Sequence, residues 1–206
     1  MRYFEKLLHS RTTHPSIGSF LAILWVMFAW SNFEAYIATG SLSYLAVSIS
    51  EFLQAFFFLI RRAPSEVSTR PYAWFVAISA TIFPLLLRPS EVSIWRFGDE
   101  LLMCGIVIQV IALLSLNRSF AIAPANRGIK TGGLYTLVRH PMYASYLFIF
   151  LGYVLQNSTI YNLEIVLATF LFLMLRVNEE EKLLSKDSAY LHYKKQVPWR
   201  VIPFIY

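Results

Sequence analysis

The sequence predicts an all-α protein: a polytopic membrane bundle of about six transmembrane helices. Composition is the first reason. Of 206 residues, 57% are hydrophobic and only 15% are charged, against about a quarter charged in a soluble domain. Mean hydropathy is +0.53. The second reason is patterning, because the apolar residues gather into runs close to the ~20 residues that a bilayer crossing requires. The third is charge, because nearly all Lys and Arg residues fall in the loops between those runs.

The first run, Ile17–Ala38, is a full span, and so is Leu42–Ile60, which holds Glu51 and Gln54 within it. Tyr72–Leu87 is shorter but strongly apolar. Leu101–Leu116 is a fourth, with a start as early as Ile94. Met142–Leu155 and Ile160–Leu175 are a fifth and sixth, joined by the polar turn Gln156-Asn157-Ser158-Thr159, and read as a helical hairpin. No alternating strand pattern appears, and lipid accepts only segments whose backbone is satisfied internally, so each run is expected to be a helix. The first 14 residues are polar and precede a full-length apolar run, which is not the pattern of a cleavable signal.

Six spans place both termini on one side. That side collects Arg2, Lys6 and Arg11, then Arg61, Arg62 and Arg70, then Arg118, Arg127, Lys130 and Arg139, and the basic residues from Arg176 to Arg200. Arg88 and Arg96 alone fall opposite. Basic loops stay inside, so both termini are expected in the cytoplasm. The net charge of +6 is therefore an orientation signal, and no nucleic-acid partner is expected. Cys104 is the sole cysteine, which rules out a disulfide framework or a cysteine zinc site within one chain, and no metal is expected. The chain reads as one membrane domain, with N-terminal helices over residues 1–116 and a functional core over 117–206.

Two polar clusters mark that core. Arg139, His140, Pro141 and Tyr143 stand where the fifth run begins, and Arg176-Val177-Asn178-Glu179-Glu180-Glu181 closes the sixth. Proline suits the first turn of a helix. As plain structure, His140-Pro141 is a helix start at an interface. As chemistry, it aims free N–H groups at an anionic ligand. Arg176 and Glu180 lie four apart on one helical face, Glu179 near it, and Glu181 turned away. One such pair is commonly a snorkelling arginine with its carboxylate; beside the His-Pro cluster it can hold a zwitterion. The loop of about 25 residues between the fourth and fifth runs is long for a compact bundle, and its Gly132-Gly133 pair allows a backbone to approach a ligand closely. The tail Tyr190–Tyr206 is aromatic and basic, as interfacial segments are. Glu51, mid-span, is a functional candidate or a protonated or paired bundle residue in equal measure. A Gly-x-Gly-x-x-Gly fingerprint and a Walker loop are both absent.

The elements Gly133-x-Tyr135-x-x-x-Arg139-His140-Pro141-x-Tyr143, Arg176-x-x-Glu179-Glu180-Glu181, and Tyr190-x-x-Tyr193 through Pro198 to Ile202-Pro203-Phe204 resemble the isoprenylcysteine carboxyl methyltransferase and phospholipid methyltransferase superfamily. The resemblance covers about residues 117–206. It implies an integral membrane enzyme that uses S-adenosylmethionine to methylate a lipophilic or small acceptor at the membrane–cytosol interface. It implies cofactor contacts from Arg127, Gly128, Ile129 and Lys130, from Tyr135, from His140, Pro141, Met142 and Tyr143, and from Glu180. Arg176 matches the arginine near the acceptor, so Arg176 and Glu180 carry the catalytic assignment. Ser145 stands where the family often has glycine, a change that can narrow a helix crossing. Two other readings stay open: a sterol-reductase-like membrane oxidoreductase, and a non-catalytic transporter or scaffold built around Glu51. The compact chain looks like a bacterial inner-membrane protein, with membrane lipid as its surroundings.

Overall fold

The structure is a computed structural model that describes residues 13–206, with side chains from residue 16 onward. Arg2, Lys6 and Arg11 of the orientation argument lie outside the described residues. Among the described residues the α-helices are α1 (Thr13–Thr39), α2 (Leu42–Ile60), α3 (Pro71–Ile82), α4 (Gly98–Leu116), α5 (Pro141–Gln156), α6 (Ile160–Leu184) and α7 (Ser188–Gln196). All six expected runs are helical. Among the described residues, four helices are long and apolar enough to cross a membrane: Ser16–Thr39, Leu42–Ile60, Gly98–Ser119 and Ile160–Leu184. Pro71–Leu86 and Pro141–Gln156 are shorter apolar helices. Pro84 explains the first of these, since it lacks an N–H and tightens the chain into the 3-10 turn Phe83–Leu86.

Glu66–Val67 (β1) and Ala125–Asn126 (β2) pair as a two-stranded antiparallel ribbon, Glu66 opposite Asn126. Two residues are too few to show an alternating pattern. The ribbon belongs to loops at one end of the bundle, where Ser65 N–H also donates to Asn126 and Ser68 N–H to Pro124.

Helices α4 and α5 pack tightly because glycines let their backbones meet. A Cβ on Gly152 would sit 2.5 Å from the Gly98 carbonyl oxygen, and one on Gly105 2.7 Å from the Ile149 nitrogen. Small residues serve this role between membrane helices, where lipid leaves little hydrophobic force to drive association. Ser145, expected to affect a crossing, is fully buried and turns its hydroxyl back to the Met142 carbonyl. The outward faces carry exposed apolar residues, Phe20, Ile23, Leu59, Ile111 and Leu167 among them, as lipid contact requires. On α6 the inward stripe is Asn162, Val166, Thr169, Leu173 and Val177.

The loops sort to two ends. At one, Asn162 ties to Arg88, Asn157 to Ser90, and Ser158 N–H to Val92. At the other meet the 61–70 loop, the 117–140 loop, the end of α6 and the tail, linked by Arg70–Glu179, Lys186–Glu66 and Asn126–Asp187 contacts. The second end holds both polar clusters.

Candidate active site

Helix α5 opens at Pro141, the first helical position, with His140 as its N-cap residue. The tail holds this opening from behind. Arg139 N–H donates to the Trp199 carbonyl at 2.9 Å, and His140 N–H to Arg200 at 2.7 Å. The Arg139 side chain reaches the carbonyls of Val197 and Pro198 at 2.7 and 2.6 Å. Its guanidinium also grips Glu181, Nε and Nη2 lying 2.8 and 2.7 Å from Oε1. Glu181 Oε1 also faces His140 Nε2 at 3.2 Å, while Oε2 faces Arg200 Nε at 3.2 Å and Lys194 Nζ at 3.3 Å.

Glu181 is thus a buried hub among four cationic or potentially cationic side chains. It does turn away from the Arg176 face, as helical phase demands, but it turns inward, four residues after Val177 on the buried stripe. Its role as hub was not expected, and the phase of Val166, Thr169, Leu173 and Val177 was the signal for it. Being spent on these partners, it is a poor base. Glu179, also buried, pairs with Arg70 and Lys182, both at 2.7 Å.

Glu180 faces the other way. It accepts the Tyr143 hydroxyl at 2.8 Å. The Arg176 guanidinium lies over the Tyr143 ring, 5.4 Å from its centre, and reaches the Ala121 carbonyl at 3.4 Å. The expected Arg176–Glu180 pairing is therefore indirect: Tyr143 stands between the two charges.

These side chains line a polar pocket of about 90 Å³. Arg127, Gly128, Ile129, Lys130, Tyr135, His140, Met142, Tyr143, Arg176 and Glu180 all contribute to its wall. Pro141 does not; it is buried beneath as the helix start. His140 is 5% exposed and its ring is engaged with Glu181, so it backs the pocket more than it projects into it. Its N–H is likewise taken by Arg200, which removes one of the amides expected to face a ligand. The Gly-Gly expectation also shifts. Gly133 adopts a left-handed φ of +63°, and a Cβ there would lie 2.3 Å from Ser115 Oγ, so its smallness serves packing onto α4. The pocket-lining glycine is Gly128, with φ +97°.

The tail proves to be more than an interfacial anchor. Tyr190 and Tyr193 are each 3% exposed, and Tyr193 donates to the Tyr135 carbonyl at 2.6 Å. Burial drives the Tyr135, Tyr190 and Tyr193 hydroxyls well above the usual tyrosine range, so all three are neutral donors. The Tyr190 hydroxyl is buried in the pocket wall with no well-formed hydrogen bond, although Arg139 is its charged neighbour. Burial, followed by the nearby Arg61, pushes Arg127 down to about 9.

Beside the pocket lies an apolar cavity of about 890 Å³, walled by residues of α1 to α6 such as Leu24, Trp25, Ile78, Ile106, Phe150 and Leu173. Phe120, Ala121, Ala125, Arg127, Tyr146 and Arg176 belong to both walls. The polar pocket alone, at about 90 Å³, is smaller than the ~300 Å³ at which small-molecule sites begin. Glu51, with Gln54 and Gln109, lines the apolar cavity rather than the pocket. Among the described residues, no three His, Cys, Asp or Glu residues group as a metal site would need.

Comparison with curated proteins gave no match. A family model did match: it is described as phospholipid methyltransferase, and it covers residues 94–189, from just before α4 to the start of α7. It leaves α1 to α3 and the tail Tyr190–Tyr206 outside. The segment that builds both polar clusters is therefore a phospholipid methyltransferase domain, of the isoprenylcysteine and phospholipid methyltransferase family of membrane proteins.

Proposed function

We propose that this membrane methyltransferase transfers the methyl group of S-adenosylmethionine to a lipophilic acceptor at the cytoplasmic face of the membrane. The observation that carries the proposal is the wall shared between a polar pocket and an apolar cavity. A charged nucleoside cofactor suits the first, a lipid chain suits the second, and the two meet at Arg176 and Tyr146.

The residues present fit the cofactor. Glu180 offers a carboxylate to its ammonium or ribose hydroxyls, Lys130 a cation to its carboxylate, and the Tyr190 hydroxyl a free donor. When bound, the cofactor supplies an already activated methyl group, displaced in line from sulfur. What remains for the chain is positioning and exclusion of water. Tyr143 links the two halves of the task, because its hydroxyl orients Glu180 and its ring seats Arg176. Arg176, nearer the apolar cavity, holds the acceptor's polar group against the methyl donor. A carboxylate or thiolate acceptor needs no base; for an amine, Glu180 is placed to take the proton.

In this reading the chain makes six crossings as a single membrane domain, with residues 117–206 as its core. Both termini and the site face the cytoplasm of a bacterial inner membrane. Its support is the charge distribution: among the described residues, Arg88 and Arg96 are the basic residues at the end opposite the site. The test is incubation of purified protein with radiolabelled S-adenosylmethionine and a total membrane lipid extract. A labelled lipid product is the expected result. Absence of both cofactor binding and labelling would overturn the proposal.

A further inference from the structure

Helix α2 carries a polar stripe into the middle of the apolar cavity. Val47, Ser50, Glu51 and Gln54 recur at helical spacing and so share one face, and all of them line the cavity. Glu51 lies ~14 Å along α2 from its Ile60 end at the rise of an α-helix. The stripe is therefore set deep, and none of its residues belongs to the wall of the polar pocket. Gln109 of α4 and Tyr146 of α5 line the cavity beside it.

Packing explains part of this polarity. The Ser50 hydroxyl donates to Gln109 Oε1 at 3.0 Å and ties α2 to α4, as polar side chains do between membrane helices. Glu51 and Gln54 make no such tie. Gln54 is the hydrogen-bonding neighbour of Glu51 on the same helix, so their contact joins no two elements. Among the described residues Glu51 makes no ion pair. Gln109, its carbonyl oxygen taken by Ser50, keeps its amide N–H groups for the cavity side, near the Tyr146 hydroxyl. Buried polar groups left unmet cost free energy, and a carboxyl group in the middle of a span is expensive without a partner.

The chemistry of these groups selects their partner. A plain hydrocarbon chain leaves all of them unmet. An anion is repelled by the Glu51 carboxylate. An ammonium pairs with Glu51 but has no lone pair to accept from Gln109. A hydroxyl donates and accepts at once, so it meets the Glu51 oxygens and the Gln109 amide together.

We propose that Glu51, Gln54 and Gln109 form a subsite for a hydroxyl group carried along the chain of the amphiphile that fills the apolar cavity, remote from the end that faces Arg176. Glu51 and Gln54 lie outside the matched family segment, so this selectivity is a contribution of the N-terminal half. Identifying the amphiphile with the methyl acceptor rests on the proposed function; recognition of a hydroxyl within the cavity does not.

The test is calorimetric titration of the full chain in non-ionic detergent with the α,ω-diols of decane, dodecane and tetradecane, each set against the mono-alcohol of equal length. The series offers a second hydroxyl at successive depths. An apolar wall alone disfavours the diol, because a buried hydroxyl without a partner is costly. With the subsite, the diol of fitting length is expected to bind at least about tenfold more tightly than its mono-alcohol. Glu51→Leu and Gln109→Leu are each expected to erase that preference, with mono-alcohol affinity kept within about threefold; both diol and mono-alcohol meet the same micelles in every protein, so the change in preference reports the cavity. Diols that bind more weakly than their mono-alcohols at every length in the unaltered protein overturn the proposal, whether or not the variants fold. A preference retained in Glu51→Leu, with a lowered unfolding temperature, makes Glu51 a packing residue of the bundle and also overturns it. The amino alcohol of dodecane binding about tenfold more tightly than every diol replaces the hydroxyl by an ammonium and overturns the assignment. Failure of the unaltered protein to bind S-adenosylmethionine counts against the proposed function and leaves the hydroxyl subsite standing.

Discussion

Three consecutive glutamates, Glu179 to Glu181, do three different things because each successive residue rotates ~100° around α6. Glu179 meets Arg70 and Lys182, Glu180 meets Tyr143 in the pocket, and Glu181 meets Arg139 and His140 beneath it. Their substitutions separate stability from binding. Glu181→Gln leaves the Arg139 side chain, 3% exposed, buried without its carboxylate, and a broken buried pair costs ~3–5 kcal/mol. Thermal unfolding in detergent is expected to show a large loss. Glu180→Gln removes a pocket charge without stranding a buried cation. It is expected to unfold near the unaltered temperature and to bind S-adenosylmethionine at least about tenfold more weakly, or ~1.4 kcal/mol. Equal unfolding temperatures for the two variants would contradict the division of roles. Arg176→Lys tests the acceptor role. Lysine snorkels equally well but lacks the planar fork, so cofactor affinity is expected to stay within about threefold while turnover falls at least about tenfold. Near-normal turnover would reduce Arg176 to an anchor.

At the scale of elements, two contacts place the site: the α4–α5 crossing and the tail behind the α5 opening. The crossing depends on missing side chains. Gly152→Ala puts a Cβ 2.5 Å from the Gly98 carbonyl oxygen and 2.6 Å from the Leu102 nitrogen, where only backbone is available to move. Overpacking of this kind costs ~1–3 kcal/mol, and a lowered unfolding temperature is expected. Gly132→Ala is the control, because its backbone is extended at φ −101° and its Cβ would meet nothing within 4 Å. It is expected to change stability by less than ~0.5 kcal/mol. If the two glycines behaved alike, close packing would not be what makes the crossing sensitive.

For the molecule as a whole, the sorting of loops to two ends implies a testable topology. In a Cys104→Ser background, cysteines at the exposed positions Ser65 and Ser188 should be labelled from one side of the membrane, and a cysteine at Glu91 from the other. The side bearing Ser65 and Ser188 is expected to be cytoplasmic, since basic loops are retained there. Labelling of Ser65 and Ser188 from opposite sides would break the shared-end arrangement on which the site depends.

The helices and their order were legible in the chain because each apolar run is a local property, and lipid forces a long apolar run to satisfy its own backbone. The pocket residues were legible for a related reason: Arg139-His140-Pro141-x-Tyr143 and Arg176 to Glu181 each sit at the end of such a run, and helix ends at one end of a bundle can meet. What lay beyond the sequence depended on which surfaces touch. The tail reads as an interfacial segment, yet its carbonyls at Val197, Pro198, Trp199 and Arg200 are what fix Arg139 and His140. Backbone acceptors carry no sequence signature. Gly133 reads as a ligand-approach glycine but packs on Ser115, and the β1–β2 ribbon joins residues about 60 positions apart with too few residues to leave a period.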